Sequence, residues 1–312
     1  MVISIIITTF FLSIISSHFC QKYFLKQRVF DKINLRSSHD SIATRSGGLS
    51  IFLVLMITSI YYYLNGIEIF NFSILVPLSL LFLVGIYDDF NGVDFKLKFI
   101  FQIIAAKIII DNGLIIDNFH GFLGVFEINR VLAQLVTIFI IISIINAINF
   151  VDGIDGLLTS ISILFIISYE FFASVNTDFY FLSLIIITAL VPLYYYNFKK
   201  TKKIFLGDSG SYLLGGIIAI YVLNILSFGY RIKPEYDLNK IIFVISILIY
   251  PIIDIIRIFS LRIVNKKSPF IADNNHLHHT LLKYNNSHFK TTFIICSFTI
   301  FTIIFIQLLF NV

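Results

Sequence analysis

Charge is what this 312-residue chain has least of. Only 13% of its residues are Asp, Glu, Lys or Arg, whereas 58% are hydrophobic, and the mean hydropathy is +0.92. A soluble domain carries roughly a quarter charged residues, so the composition excludes one and requires an integral membrane protein. Tryptophan is absent although Phe (35) and Tyr (16) abound. Cysteine is nearly absent too. Cys20 and Cys296 lie far apart, each in or beside an apolar run, which excludes a disulfide framework and a cysteine-based metal site and leaves them as apolar filler. No A-x-A-like cleavage site follows the apolar N-terminus, and its basic residues come after the run instead of before it, so the first segment is expected to be retained as a helix. There is no internal repeat and no low-complexity linker. The expectation is one membrane domain over residues 1–312.

What is present is a series of apolar runs of helical length. A membrane-spanning helix needs about 20 such residues, and ten segments are predicted: Val2–Phe19, Gly47–Leu64, Phe72–Tyr87, Leu97–Ile110, Val131–Phe150, Leu157–Val175, Phe179–Tyr196, Ser209–Phe228, Lys240–Phe259 and Thr291–Val312. The fourth is short and carries Gln102 and Lys107. Alternation puts five loops on one side, over residues 20–46, 88–98, 150–157, 197–208 and 257–290. They hold 18 of the 23 Lys and Arg residues. By the positive-inside rule these loops are cytoplasmic and both termini face outward. The net charge of +5 follows from this bias and calls for no nucleic acid. The acids on the other side (Asp111, Asp117, Glu127, Glu235, Asp237) are scattered, as solvated residues are.

The polar clusters all fall on the basic side. The stretch Asn146-Ala147-Ile148-Asn149-Phe150-Val151-Asp152-Gly153-Ile154-Asp155-Gly156 ends one apolar run and begins the next. Its four polar residues recur every three positions, as a helical stripe would. Carboxylates at such a place are costly and mark function, although an interhelical hydrogen-bond seam would also use the amides. Asp88 and Asp89 end the third run; adjacent carboxylates suit a metal-bound phosphate or a general base, and Lys98 opens the next run where it could meet a phosphate. The first loop offers hydroxyls, Arg45 and Gly47-Gly48, which reads either as a basic surface against anionic lipid or as a phosphate-binding turn. In Phe205-Leu206-Gly207-Asp208-Ser209-Gly210-Ser211, Asp208 stands at a helix start, where it could cap the helix or hold Mg²⁺ beside phosphate. The last loop follows Pro251 and Asp254 and contains His276-Leu277-His278-His279, whose spacing is not that of a zinc site and which suits diphosphate binding or proton relay. His288 has no such company and receives no role.

In series, these stretches resemble the polyprenyl-phosphate N-acetylhexosamine-1-phosphate transferase family over roughly residues 28–282. The matching parts are Asp88-Asp89 with Lys98 and Gln102, the 146–156 stretch, the 205–211 stretch and His276-Leu277-His278-His279, in the same order and on one membrane side. The resemblance implies an all-α polytopic enzyme of about ten membrane helices with its active site at the cytoplasmic face of a bacterial inner membrane. The implied reaction moves a sugar-1-phosphate from a UDP-N-acetyl sugar to undecaprenyl phosphate with release of UMP, as the first membrane step of a cell-surface glycan; a homodimer is compatible with it. Residue by residue, it implies Asp208 as Mg²⁺ ligand (Mn²⁺ is an alternative) and Asp152 in the same acidic, metal-holding centre. Asp88 would deprotonate or position the lipid phosphate, with Asp89 beside it. Asp155 and Phe205 would contact uracil, and Lys98, Asn146, Asn149, Arg45, His276, His278 and His279 would contact substrate. Arg36-Ser37-Ser38-His39 and the histidine cluster resemble the branch using UDP-GlcNAc-like donors rather than the muramoyl-pentapeptide branch.

Two departures stand out. Ile42-Ala43-Thr44 replaces a Pro-Thr-Pro, and Asn197-Phe198-Lys199-Lys200-Thr201-Lys202 replaces an Asn-x-x-Pro-Ala with one extra residue, leaving Asn197 without an expected role. Of the rival classes, an ion-coupled transporter would place its polar residues near the midplane of broken, repeated helices instead of at one face. A CDP-alcohol phosphotransferase would need an Asp-rich motif with a following Arg that the sequence lacks.

Overall fold

The computed structural model describes residues 1–31, 42–227, 229–236, 239–266 and 275–310. The Arg36–His39 run lies outside them. The described chain is almost wholly helical: α1 (Val2–Lys26), α2 (Gly47–Leu64), α3 (Leu75–Asn91), α4 (Phe95–Asp111), α5 (Arg130–Val151), α6 (Leu157–Phe172), α7 (Tyr180–Phe198), α8 (Gly207–Leu226), α9 (Lys240–Ile247), α10 (Ile249–Val264), α11 (Leu277–Asn285) and α12 (His288–Phe310). The all-α polytopic expectation holds.

The count of ten spans does not follow as simply. Every predicted segment contains helix, but seven helices are long and apolar enough to cross a membrane, or eight if α9 and α10 count as one broken span. Helix α6 has 16 residues, and α4 has 17, among them Lys96, Lys98 and Lys107. The ninth segment is not one rod. It breaks at Leu248 and turns by 74°. Pro251 is the physical cause: it has no N–H for Ile247 O, the carbonyl four residues back, and its ring crowds that turn.

Helix α8 is the axis of the bundle. Of its 20 residues only Asp208 is not buried, and α2, α3, α5, α6 and α9 pack around it. Apolar side chains gain nothing from leaving lipid for protein, so close packing must bind these helices, and small residues permit it. At Gly85 of α3 an added Cβ would lie 2.5 Å from Asp208 O, so this glycine lets α3 meet the start of α8 backbone to backbone.

Three two-residue strands tie the loops of one end. β1 (Phe30–Asp31) pairs antiparallel with β2 (Ala43–Thr44), which pairs parallel with β3 (Lys203–Ile204). Gly47 and Gly48 N–H continue the tie, donating to Phe205 O and Leu206 O, both at 2.9 Å. The first and fourth basic loops therefore meet. Helix α1 runs toward this end, where Gln21 Nε2 donates to Lys202 O at 2.7 Å, and α12 runs away from it, so the start of α1 and the end of α12 lie at the opposite end.

That opposite end holds a polar network the sequence reading did not find. Thr177 and Ser183 hydroxyls donate to the Glu170 carboxylate, Ser183 also meets Tyr221 OH at 2.9 Å, and Tyr169 OH donates to Asn224 Oδ1 at 2.7 Å. Glu170 and Tyr169 are hidden inside an apolar run, where no loop pattern announces them.

A candidate active site at the basic end of the bundle

Four of the five basic loops converge on the first turn of α8. Asp89, at the end of α3, is buried. Its Oδ1 accepts from Asp208 N–H at 3.0 Å, and its Oδ2 accepts from Ser209 N–H at 3.0 Å and Ser209 Oγ at 2.7 Å. It thus caps α8 from a neighbouring helix, satisfying N–H groups that the helix itself cannot. Arg45 NH1 stands 3.9 Å from Asp89 Oδ1, with its side chain 39% exposed. Both oxygens of Asp89 are therefore engaged by protein groups.

Asp88, one residue earlier, faces a different neighbourhood. Its Oδ1 accepts from Val93 N–H at 2.6 Å and its Oδ2 pairs with Lys98 Nζ. The same ammonium lies 3.1 Å from Asp208 Oδ2. Asp208 Oδ1 accepts from Asn149 Nδ2 at 3.1 Å, and that amide also donates to Ser211 Oγ at 2.7 Å. Lys98 thus sits between two carboxylates, and Asn149 orients the second. Asn146, one turn back on α5, donates to Gln102 Oε1 at 2.8 Å, so it braces α5 against α4 in this structure. Asp152 is half-buried at the C-terminus of α5, one turn past Asn149.

The 152–156 turn is held from three sides. Asp155 is buried and ion-paired with Lys203 of β3. Its N–H donates to His288 Nδ1 at 3.0 Å, so that nitrogen is an acceptor and its 3.6 Å approach to Asp155 Oδ1 is a contact, not a charge pair. Thr292 Oγ1 donates to Asp155 O at 3.1 Å. Gly156 N–H donates to Asn197 Oδ1, and Asn197 Nδ2 donates to Ile204 O at 2.7 Å. Asn197, Lys203 and His288 were given no site role from the sequence. Asn197 is a strut between the turn and β3, Lys203 is the counter-charge of Asp155, and His288 joins α12 to the turn. Phe205 is half-buried in the strand-to-helix passage, and its backbone bonds to Thr44 and Gly47.

The histidine cluster packs against the same turn. His276 Nδ1 donates to Asp254 Oδ2 at 2.7 Å, and Asp254 Oδ1 accepts from Leu277 N–H at 2.7 Å. His278 is fully buried; its Nδ1 meets Tyr250 OH at 2.9 Å and its Nε2 has no hydrogen-bond partner among the described residues. A Cβ added at Gly153 would lie 2.1 Å from that Nε2, so the ring fits only against glycine. His279 is the half-buried member. Burial pushes the imidazole of His278 well below its ordinary pKa and that of His279 down to about 4, with neighbouring His276 adding to the effect at His279. Both are neutral at pH 7 and offer ring nitrogens, not positive charge. All five loops therefore meet at one end, with the fifth joined through Gly153 and His278.

Among the described residues no three His, Cys, Asp or Glu side chains gather as a ready-made cation cage. The oxygen donors nonetheless fit a hard cation. Mg²⁺ is characteristically held by one or two carboxylates together with substrate phosphates. Asp208 is the carboxylate suited to that, with its side chain 28% exposed beside the N–H-rich start of a helix.

Beside this end runs an apolar groove of about 400 Å³ between α5 and the bent α9–α10 pair. Ala147 and Ile148 lie near its site end, and Phe119, Phe139 and Ile241 toward the other. The molecule is thus a helical membrane protein that sets a lysine-bridged pair of carboxylates at a helix start beside an apolar groove. Comparison with known proteins gives that class its family. Residues 71–226 match the glycosyl transferase family 4, and the chain belongs to it. A Bacillus subtilis protein named probable undecaprenyl-phosphate N-acetylglucosaminyl 1-phosphate transferase is 31% identical over 277 residues, 87% of this chain and 74% of the relative. The Haemophilus influenzae undecaprenyl-phosphate alpha-N-acetylglucosaminyl 1-phosphate transferase is 33% identical, covering 81% and 71%. A Mycobacterium tuberculosis decaprenyl-phosphate N-acetylglucosaminephosphotransferase is 27% identical, covering 83% and 70%.

Proposed function

We propose that this chain transfers N-acetylhexosamine-1-phosphate, GlcNAc or a related deoxy-amino sugar, from a UDP-sugar to undecaprenyl phosphate and releases UMP. The setting is a bacterial inner membrane with the five basic loops cytoplasmic, at the first membrane step of a cell-surface glycan. The observation that carries this is Lys98 held between Asp88 and Asp208 at the start of α8. Two anionic phosphates must approach one another, and such transfers are catalysed mainly by positioning and charge stabilisation. Lys98 supplies one fixed cation. Asp208, with Asp152, would hold Mg²⁺, which when bound neutralises the donor diphosphate.

The remaining roles belong to the chain's own residues. Asp88 keeps Lys98 charged and aimed. A phosphate monoester has a second pKa of about 6, so the acceptor is largely dianionic at neutral pH, and Asp88 is the nearby base for the fraction still protonated. Asp89 keeps the first turn of α8 in place. Asn149 fixes the rotamer of Asp208. The groove between α5 and α10 takes the proximal isoprene units of the acceptor, which explains why the chemistry lies at a membrane face. The displacement is direct: the lipid phosphate attacks the β-phosphorus, that P–O bond forms as the bond to UMP breaks, and UMP leaves with the electron pair. A phosphorylated enzyme trapped in the absence of acceptor would overturn the direct route.

The test is UMP release by purified protein given undecaprenyl phosphate, Mg²⁺ and a panel of UDP-N-acetyl sugars. Release with one donor that depends on both lipid and metal is expected. No release with any donor, from folded protein, would overturn the reading.

A further inference from the structure

Among the described residues α10 meets the histidine turn by side-chain contacts that are too specific for a passive wall. Tyr250 and Asp254 are four apart, one above the other on a single helix face. Each grips one histidine of the turn that opens α11: Tyr250 OH meets His278 Nδ1 at 2.9 Å, and Asp254 takes His276 Nδ1–H at 2.7 Å. The second oxygen of Asp254 accepts Leu277 N–H at 2.7 Å and so caps α11. Three bonds thus fix the first turn of α11 to α10, two of them through ring nitrogens that a free imidazole would let rotate.

What that grip secures is the far side of the His278 ring. The ring is fully buried, and its Nε2 has no hydrogen-bond partner among the described residues, a state that costs free energy in a protein interior. The nitrogen faces Gly153 with no room for even a methyl group. Gly153 follows Asp152 and precedes the turn held by Lys203 and Asn197. An apolar ring would fill the same space without leaving a buried nitrogen unmatched, so packing alone does not account for a histidine there. Its use is to be held at a defined angle by Tyr250 and to support the backbone beside Asp152.

We propose that Tyr250 and Asp254 are positioning residues, which lock the histidine turn so that His278 sets the height of the Asp152–Gly153 backbone and His276 and His279 are presented to the donor. This rests on the sugar-phosphate transfer reading above. The donor half of the site then depends on the face of the bent helix that carries Tyr250 and Asp254, while the acceptor's groove uses a different face of that helix, the one that carries Pro251, Ile252 and Ile255.

Two measurements test it. In steady-state assays, Tyr250→Phe and Asp254→Asn should each raise KM for the UDP-sugar by about ten- to a hundredfold, the scale of a misplacement of up to ~1 Å, with KM for the lipid phosphate unchanged. A merely structural role would lower the active fraction, and so kcat, and leave both KM values alone; that result overturns the proposal. The second readout needs no turnover. Cys20 and Cys296 are free thiols, so a thiol-reactive fluorophore follows unfolding. Gly153→Ala should lower the melting temperature, and adding His278→Ala in the same chain should restore most of it, because the two side chains compete for one space. Additive losses would overturn the contact between His278 and Gly153 on which the proposal stands. Wild-type protein inactive with every donor would overturn the transfer reading instead, and the melting cycle would still decide the clamp.

Discussion

Asp88 and Asp89 are adjacent, yet they do different things. Asp89 accepts three hydrogen bonds from the first turn of α8, whereas Asp88 is bound to Lys98 and the Val93 N–H. Substituting Asp89→Asn puts an NH₂ group against donors, leaving at least one buried N–H or hydroxyl unmatched at a cost of about 1–3 kcal/mol. Its melting temperature should fall measurably, whereas Asp88→Asn can keep its oxygen on Val93 N–H and turn its NH₂ toward the long, flexible Lys98 side chain, so it should lose activity with a smaller loss of stability. Equal melting temperatures for the two variants would contradict this division. The histidines make a second prediction at this scale. The folded pKa of His279 is depressed to about 4, and that of His278 is also lowered, against an ordinary value near 6.5. The unfolded chain therefore takes up protons that the folded one refuses, so these groups' contribution is intact above about pH 6.5 and is lost as pH falls toward 4. Melting curves between pH 7.5 and 5 should show stability falling with pH, and His279→Gln should shrink that slope. A slope unchanged by the substitution would contradict the assignment.

At the scale of elements, the groove between α5 and the α9–α10 pair carries the claim about the acceptor. Ser143 lines it about one turn from Ala147. Ser143→Phe would fill it without touching the carboxylates, so KM for undecaprenyl phosphate should rise, while a short-chain polyprenyl phosphate that never reaches Ser143 should be used as before. Equal losses with both lipids would show that the variant damages the fold instead. Elements also set what could be read from the sequence. Asp88, Asp208 and the 146–156 stretch stood out because carboxylates are expensive where a membrane helix ends, and Lys98 stood out beside them. Lys203, Asn197, Tyr250 and His288 did not. Each meets its partner through contacts that skip from tens to more than a hundred residues, and no local period encodes such a contact. The break at Leu248 was hidden for a related reason: Pro251 was visible, but a proline in an apolar run can kink a helix or end it, and packing decides which.

At the scale of the whole molecule, the basic loops and the site share one end, and the start of α1 and the end of α12 lie at the other. The lysine and arginine bias then makes a claim about sidedness. In the turn between α4 and α5, at the far end, Leu123 is 87% exposed. In a background with Cys20 and Cys296 replaced, Leu123→Cys should react with a membrane-impermeant thiol reagent added to intact spheroplasts, and a cysteine at Lys199 should react only after lysis. The reverse pattern would invert the orientation and put the site outside, away from any cytoplasmic UDP-sugar.

The most direct test of the central claim follows the phosphorus. UDP-N-acetyl sugar labelled at the β-phosphate, incubated with purified protein, Mg²⁺ and undecaprenyl phosphate, should pass its label into the organic-extractable lipid. Asp208→Asn protein, folded by its melting curve, should reduce that transfer by a factor on the order of a thousand, as loss of a principal electrostatic group does. Label that stays in the aqueous phase with every donor, or an Asp208→Asn enzyme that transfers it as well as the wild type, would contradict the account.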